Sequence, residues 1–453
     1  MGGGGRSAAS MRTALPPLVL LIVSGISSAA QPLRAGAAQV RITPEKPVPL
    51  AGYFRLRLST AVHDDLWCKA LVLAEEERRA ALAACDLLEV PGGVVQEARR
   101  RIELETGIPA AAVMISATHT HLAPVVEGEF AAGLPAKIAE AVRLAAAAAG
   151  PARIAWAEGH EPSLVFHRRF FMKDGTVRFN PGKGNPGIVR PVGPVDPRVS
   201  VVAVDAADGR PVATLVNYAL HLDTVGGTEV SADYPYTLSR LVGCARGGGV
   251  TIFTLGCAGN INHIDVSDPR PQNGHGEAAR IGTVLAGEVL KALARAAPVE
   301  RTALRTASAR IALPLVKHDA QELSWSRDVL ERERKGEKIA FLDLVKAYRI
   351  AEVEALGKPE REAEVQVIAL GGDLAWAGLP GEIFVELGLA LRRASPFRHT
   401  VAVSLANGSL GYFPDRPAWD HGHYEVITAR CGRGSGERLV EAALRLLDEV
   451  KGK

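Results

Sequence analysis

Ser116-Ala117-Thr118-His119-Thr120-His121, directly behind the apolar run Ala111 to Ile115, is the stretch on which the reading of this 453-residue chain turns. A short apolar run that gives way to polar residues suits a buried strand reaching the edge of a sheet. Two imidazoles at i and i+2 then point to the same face if the extended geometry persists. Such a pair suits a metal or catalytic site at the carboxyl edge of a sheet. A His-x-His tripeptide alone is a weak sign, so its weight depends on what the rest of the chain brings to it.

Working outward, Trp67 to Leu73 and Ala80 to Cys85 read as strands. The charged run Glu75-Glu76-Glu77-Arg78-Arg79 between them suggests a hairpin. Val94 to Glu105 reads as a helix stopped by Gly107-Ile108-Pro109, and Leu134 to Ala149 as an alanine-rich helix ended by Gly150-Pro151. Residues 172 to 198, rich in Gly, Pro, Asn and Arg, read as a long functional or disordered loop. Strands are expected at Val199 to Val204, at Val212 to Leu220 (ending directly at His221) and at Val250 to Leu255. Helices are expected at Tyr236 to Leu241 and Glu277 to Ala296.

The charged segment from Gln321 to Leu356 reads as a peripheral helical hairpin. Phe341, Leu344, Val345 and Tyr348 form its apolar stripe, and a packed outer layer is preferred over a lid. Strands Glu364 to Leu370, Leu374 to Ala377 and Thr400 to Ala406, a helix Glu382 to Ala394 and a closing helix Glu437 to Val450 complete the chain. Alternating strands and helices imply a layered α/β architecture with a largely buried mixed sheet.

Bulk properties narrow the class. Arg6 and Arg12, the apolar run Leu15 to Ile26 and Ser27-Ser28-Ala29-Ala30 form a secretory leader over residues 1–30, with the mature chain starting near Gln31. The apolar run is short for a membrane span, and no later segment approaches ~20 uninterrupted apolar residues. A secreted or periplasmic protein with no integral span after leader removal is therefore expected. Net charge is +3 over the full sequence, and loss of Arg6 and Arg12 brings it close to neutrality. Without a basic run, nucleic acid is excluded as a partner class. The five cysteines are scattered, which excludes a zinc ribbon or a disulfide framework and leaves room for one bridge. Oligomeric state is not legible.

Three further places repeat the pattern of a strand running into a ligating residue: His221 in Asn217-Tyr218-Ala219-Leu220-His221-Leu222-Asp223, Glu382 in Leu379-Pro380-Gly381-Glu382, and Tyr412 in Asn407-Gly408-Ser409-Leu410-Gly411-Tyr412. Glu382 is expected on a tight turn at a helix start. Open α/β sheets bind ligands where such loops converge.

These motifs together resemble the neutral/alkaline ceramidases. The resemblance runs from about Gly36-Ala37-Ala38-Gln39-Val40-Arg41-Ile42-Thr43-Pro44 to Tyr424-Glu425. It implies a zinc ion held by His119, His221, Glu382 and Tyr412. It also implies catalytic roles for His121 and Tyr424, and substrate contact by Arg168 in His167-Arg168-Arg169. The reaction implied is hydrolysis of a carbon–nitrogen bond, other than a peptide bond, in a small or lipid-like acylated substrate, a step of lipid metabolism. Two imidazoles, a carboxylate and a phenolic oxygen independently suit Zn²⁺ with a position left for water. Such a zinc-bound water would have its pKa drawn towards ~7. Asp223 and Asp233 are candidate partners for ligand N–H groups, or loop caps.

Two departures set the chain apart. Asn262, in Cys257-Ala258-Gly259-Asn260-Ile261-Asn262, stands where the family carries a serine. An amide cannot form an acyl-enzyme but can bind substrate. A family-type C-terminal β-sandwich is not expected after the hydrolase domain at 31–453, so ceramide itself is not assumed as substrate. A zinc esterase or deacylase acting on a polar or sugar substrate, and a non-catalytic exported binding protein of the same fold, stay open as alternatives. Gly-x-Ser-x-Gly is absent, which disfavours a serine hydrolase.

Overall fold

The computed structural model describes residues 1–9, 33–300 and 303–452. Residues 1–9 carry no regular secondary structure, and most of the expected leader lies outside the described residues.

Strand β1 (Arg34–Arg41) pairs antiparallel with β2 (Trp67–Glu75), and β2 with β3 (Arg78–Cys85), whose turn is the charged run read as a hairpin. Helix α1 (Gly92–Thr106) ends at Gly107 in the left-handed conformation and leads to β4 (Val113–Ala117), parallel to β3. Helix α2 (Gly128–Ala147) packs on α1 and across β1 and β2. Then β5 (Gly150–His160), β6 (Arg198–Ala206) and β7 (Pro211–Tyr218) run antiparallel in turn. Helix α3 (Tyr234–Arg246) crosses to β8 (Val250–Leu255), parallel to β7, and α4 (His275–Leu293) packs on α3 and β5.

The strand order is β8-β7-β6-β5-β1-β2-β3-β4. A parallel pair therefore lies at each end of an antiparallel middle. Parallel neighbours need a crossover, and α1 and α3 supply them.

A second sheet has the order β9 (Leu304–Pro314), β10 (Glu360–Leu370), β11 (Leu374–Gly378), β12 (His399–Val403), with the last pair parallel. Helices α5 (Ala320–Arg334) and α6 (Phe341–Ala355) form the expected hairpin between β9 and β10. Helix α7 (Val385–Ala394) crosses from β11 to β12, and α8 (Ser435–Gly452) covers β9 and β10.

The two sheets are sewn together at one edge. Ser116 of β4 bridges Ala406, the Asn217 amide of β7 donates to the Ala402 carbonyl at 3.0 Å, and Ser404 N–H donates to Leu255 O at 2.9 Å. The carboxyl ends of β4, β7, β8, β11 and β12 therefore meet in one place.

Several expectations are corrected. Strands β1, β5 and β9 are absent from the elements read in the sequence. β5 opens on Gly150-Pro151, which reads as a stop, and β9 lies largely half-exposed, so its apolar alternation is weak. The 172–198 segment is folded: Arg169–Met172, Val177–Phe179 and Ile188–Pro191 make a three-stranded sheet. β7 stops at Tyr218, three residues before His221. Helix α7 starts at Val385, because Glu382–Ile383 pairs instead with Tyr412–Phe413 in a short parallel ladder. The buried face of α6 is Val345, Ala347, Ile350 and Val353, leaving Phe341 and Tyr348 exposed. All five cysteines are free thiols, with Cys68 and Cys85 opposite each other across β2 and β3.

Candidate metal centre and active site

His119 leaves β4 with φ near 80°, a turn that swings its ring under the loop after β3. There the Leu88 carbonyl accepts a hydrogen bond from His119 Nδ1 at 2.9 Å. A carbonyl only accepts, so Nδ1 carries a proton and Nε2 is the nitrogen turned to the site. Nε2 lies 3.1 Å from His221 Nε2 and 3.2 Å from Glu382 Oε2, and against burial the Glu382 carboxylate holds the ring's pKa above its ordinary value. Glu382 sits opposite Tyr412 in the parallel ladder and is hydrogen-bonded to its hydroxyl. The structure thus brings together all four residues read as ligands, and each is buried or nearly so.

Burial would raise the Glu382 carboxyl, but His119, Tyr412 and Arg168 hold it below its ordinary value. Burial, reinforced by His119 and Arg168, drives the His221 pKa well down. Burial likewise brings His121 down to about 4 against the pull of Asp223. His121 and His221 are therefore neutral near pH 7, each with a lone pair to offer. Among the described residues, both ring nitrogens of His121 and Oε2 of Glu382 are buried with no aligned hydrogen-bond partner. Each orphan of this kind costs about 1–3 kcal/mol. Lone pairs and a carboxylate crowded around one point are the arrangement a cation relieves. This nitrogen and oxygen donor set suits Zn²⁺. Donor atoms of His119, His121 and His221 all lie within 4.8 Å of one another, which adds a third imidazole to the same place.

A surrounding layer holds these side chains. Gly52 packs on His121 so closely that a Cβ there would lie 2.6 Å from His121 Cγ, so only glycine fits. Arg57 Nη2 donates to the carbonyls of Ala51 and His121, both at 2.7 Å. Tyr53 donates to Asp223 at 2.8 Å, and Asp223 lies 3.5 Å from His121 Nδ1. Arg168 spans Glu425 (3.0 Å) and the Gly259 carbonyl (2.6 Å) with its guanidinium over the Tyr412 ring. Arg169 turns away to the other Glu425 oxygen and to the Gly422 carbonyl. Of the two arginines, Arg168 faces the site. Tyr424 stacks between Phe179 and Phe341 and lies edge-on to Tyr412.

Other candidates sit differently. The Asn262 amide donates to Asn180 and its carbonyl oxygen accepts from Ile264 N–H, so both ends are engaged within the wall. Asp233 caps α3 and accepts from the N–H groups of Thr224 and Val225, the loop-capping role. His63 pairs with Asp64 and stacks on His275 in a separate cluster.

Sequence reading missed Gly52, Tyr53, Arg57 and the buried double partner Glu425. Ala51-Gly52-Tyr53 offers no periodicity or spacing to mark it. Glu425 could have been suspected from its place beside Tyr424. Phe341, exposed at the start of α6, stacks on Tyr424 at the edge of the site.

A buried donor cluster at the joined carboxyl edges of two mixed sheets, ringed by tyrosine and arginine, defines an α/β protein with a built metal-type site. The fold is that of the neutral ceramidases. The chain is similar to the crystal structure of neutral ceramidase from Pseudomonas aeruginosa, with TM-score 0.71, 17% identity, and coverage of 92% of this chain and 75% of that one. It is also similar to a ceramidase described as complexed with C2, with TM-score 0.73, 18% identity and coverage of 93% and 75%. No family profile and no curated protein sequence matches the chain.

Proposed function

We propose that this protein is an exported, zinc-dependent hydrolase of an N-acyl amide with a lipid-like acyl part. The convergence of His119, His221, Glu382 and Tyr412 on one point, beside an unpartnered neutral His121, is the observation that carries the reading.

His119, His221, Glu382 and Tyr412 would hold the zinc. When bound, it would lower the pKa of a water towards ~7 and polarise the scissile carbonyl. The protein's own groups supply the rest. Neutral His121, buried and with both nitrogens unspent, accepts a proton from the attacking water and returns it to the leaving nitrogen. Burial, with Glu382, pushes the Tyr424 hydroxyl up to about 12, so it stays protonated and donates to the oxygen on which charge develops. Arg168 holds Tyr412 in place and sets a positive charge behind the site. Asn262 offers no nucleophile, which leaves water as the attacking group.

No helix among the described residues is long and apolar enough to cross a membrane. Export with cleavage of a leader near Gln31 is part of the proposal and rests on the sequence pattern of residues 1–30. The test is hydrolysis of N-acyl amines by the zinc-loaded protein, followed as released amine. The expected result is turnover that stops with chelator and returns with zinc. Turnover unaffected by thorough chelation would overturn the metal mechanism.

A further inference from the structure

The loop that sets Gly52 and Tyr53 against His121 turns an apolar side to solvent. In it Phe54 is 41%, Leu56 78% and Leu58 55% exposed. Arg57, between the two leucines, points inward and donates to the carbonyls of Ala51, His121 and Gly227, each at 2.7 Å. Residues two apart along an extended segment share a side, so holding Arg57 inward sends Leu56 and Leu58 outward together. Arg57 and Leu58 also pair with Leu50 and Pro49 in a short antiparallel ladder, which fixes that presentation.

A second segment extends the patch. The Phe54 ring meets Phe341, itself 53% exposed, edge-on at 5.9 Å, and Phe341 stacks on Tyr424. Single exposed apolar side chains are ordinary on a protein surface. Here the exposed rings touch one another, and two of the exposed side chains line a cleft that reaches the site. The cleft holds about 500 Å³ and is lined by Leu50, Tyr53, Phe54, Leu56, Leu88 and Val125 among others, with Glu89 and Glu127 as its charged members. Gly52, also on its wall, packs on His121, and the Leu88 carbonyl accepts from His119 Nδ1. One cleft therefore joins solvent-exposed Phe54 and Leu56 to residues in contact with both histidines.

Free cations accompany the apolar side chains. Among the described residues, Arg55, between Phe54 and Leu56, and Lys338, three before Phe341, are exposed and have no ion pair. Glu337, next to Lys338, is engaged by Arg332 at 2.8 Å. Leucines and aromatic rings that enter the acyl boundary, with cations at the level of the phosphates, are the pattern of an interfacial contact with anionic lipid. A second protein seated here would close the cleft, whereas a lipid surface leaves it open and is where an acylated substrate resides.

We infer that residues 53–58, with Phe341, form a docking surface for a lipid bilayer bearing anionic head groups, from which an acylated substrate enters the cleft beside His119 and His121. The lipid contact is independent of turnover, and entry of a substrate from it rests on the hydrolase reading above.

The test is flotation of the purified protein with phosphatidylcholine vesicles made with and without phosphatidylglycerol. The wild type is expected to float with the mixed vesicles. Leu56→Asp, at an exposed position where folding is not at stake, is expected to weaken that binding by about ten- to hundredfold. Arg55→Glu is expected to weaken binding to the mixed vesicles alone. No flotation with either vesicle, or flotation that survives Leu56→Asp combined with Phe54→Asp, would overturn the inference. Equal flotation with both compositions would overturn the anionic head group. A dimer on gel filtration that Leu56→Asp converts to a monomer would give the patch to a second copy of the chain, against a lipid partner. A protein that floats yet hydrolyses no N-acyl amine keeps the docking surface and loses the hydrolase reading, and one that hydrolyses without floating does the reverse.

Discussion

Glu382 and Tyr412 stand directly opposite each other in a two-residue parallel ladder that joins the exits of β11 and β12. Their oxygens belong to separate chain segments, yet the ladder fixes them as one unit against His119. Tyr412→Phe keeps the ring packing and removes one oxygen donor. Zinc affinity is expected to fall by roughly ten- to hundredfold or more, measured by competition with a chromophoric chelator, with little change in melting temperature. Unchanged affinity would remove Tyr412 from the ligand set.

His121 lies within donor distance of His119 and His221 but is assigned to proton transfer. His121→Ala is therefore expected to retain close to the wild-type metal content while losing roughly 10²–10⁴-fold in kcat. Elemental analysis alongside steady-state rates reads both. Loss of the metal together with the rate would move His121 into the ligand set.

Glu425 is fully buried and is the shared partner of Arg168 and Arg169. Glu425→Ala leaves two buried guanidiniums without their carboxylate, and removing one member of a buried ion pair costs about 3–5 kcal/mol. Urea denaturation is expected to show a loss of that order. Activity should fall as well, because Arg168 loses its anchor. A change under about 1 kcal/mol would mean the arginines find other partners.

Asp233 carries a pH signature. Burial raises its carboxyl to about 6 despite the N–H groups of Tyr234 and Thr224, whereas the unfolded value is about 3.9. Between those values the folded state binds a proton that the unfolded state does not, so stability falls as pH rises through the window and levels off above it. Relative to Asp233→Asn, the wild type is expected to lose up to about 3 kcal/mol between pH 4 and pH 7. Denaturation free energies measured across that range would contradict the assignment if the two curves stay parallel.

The parts of the site that sequence could convey were those carried by short contiguous motifs. Thr118-His119-Thr120-His121 and Pro380-Gly381-Glu382 sit at strand exits, where a few residues and their apolar prefix suffice. The hairpin at Glu75–Arg79, strand β8 and the α5–α6 pair were legible for the same local reason. What failed was long-range. β5 hides behind Gly150-Pro151, and Glu382 reads as a helix start until Tyr412, thirty residues on, claims it for a ladder. Tyr53 and Arg57 act on His121 only because the loop after Leu50 folds back onto it.

The most direct test of the central claim is zinc content per chain in the wild type, His221→Ala and Glu382→Gln, by elemental analysis after zinc loading and desalting. About one zinc in the wild type and little in either variant is the result expected for a site built on those side chains. A wild type that holds no zinc after loading, or variants that hold as much as the wild type, would contradict it.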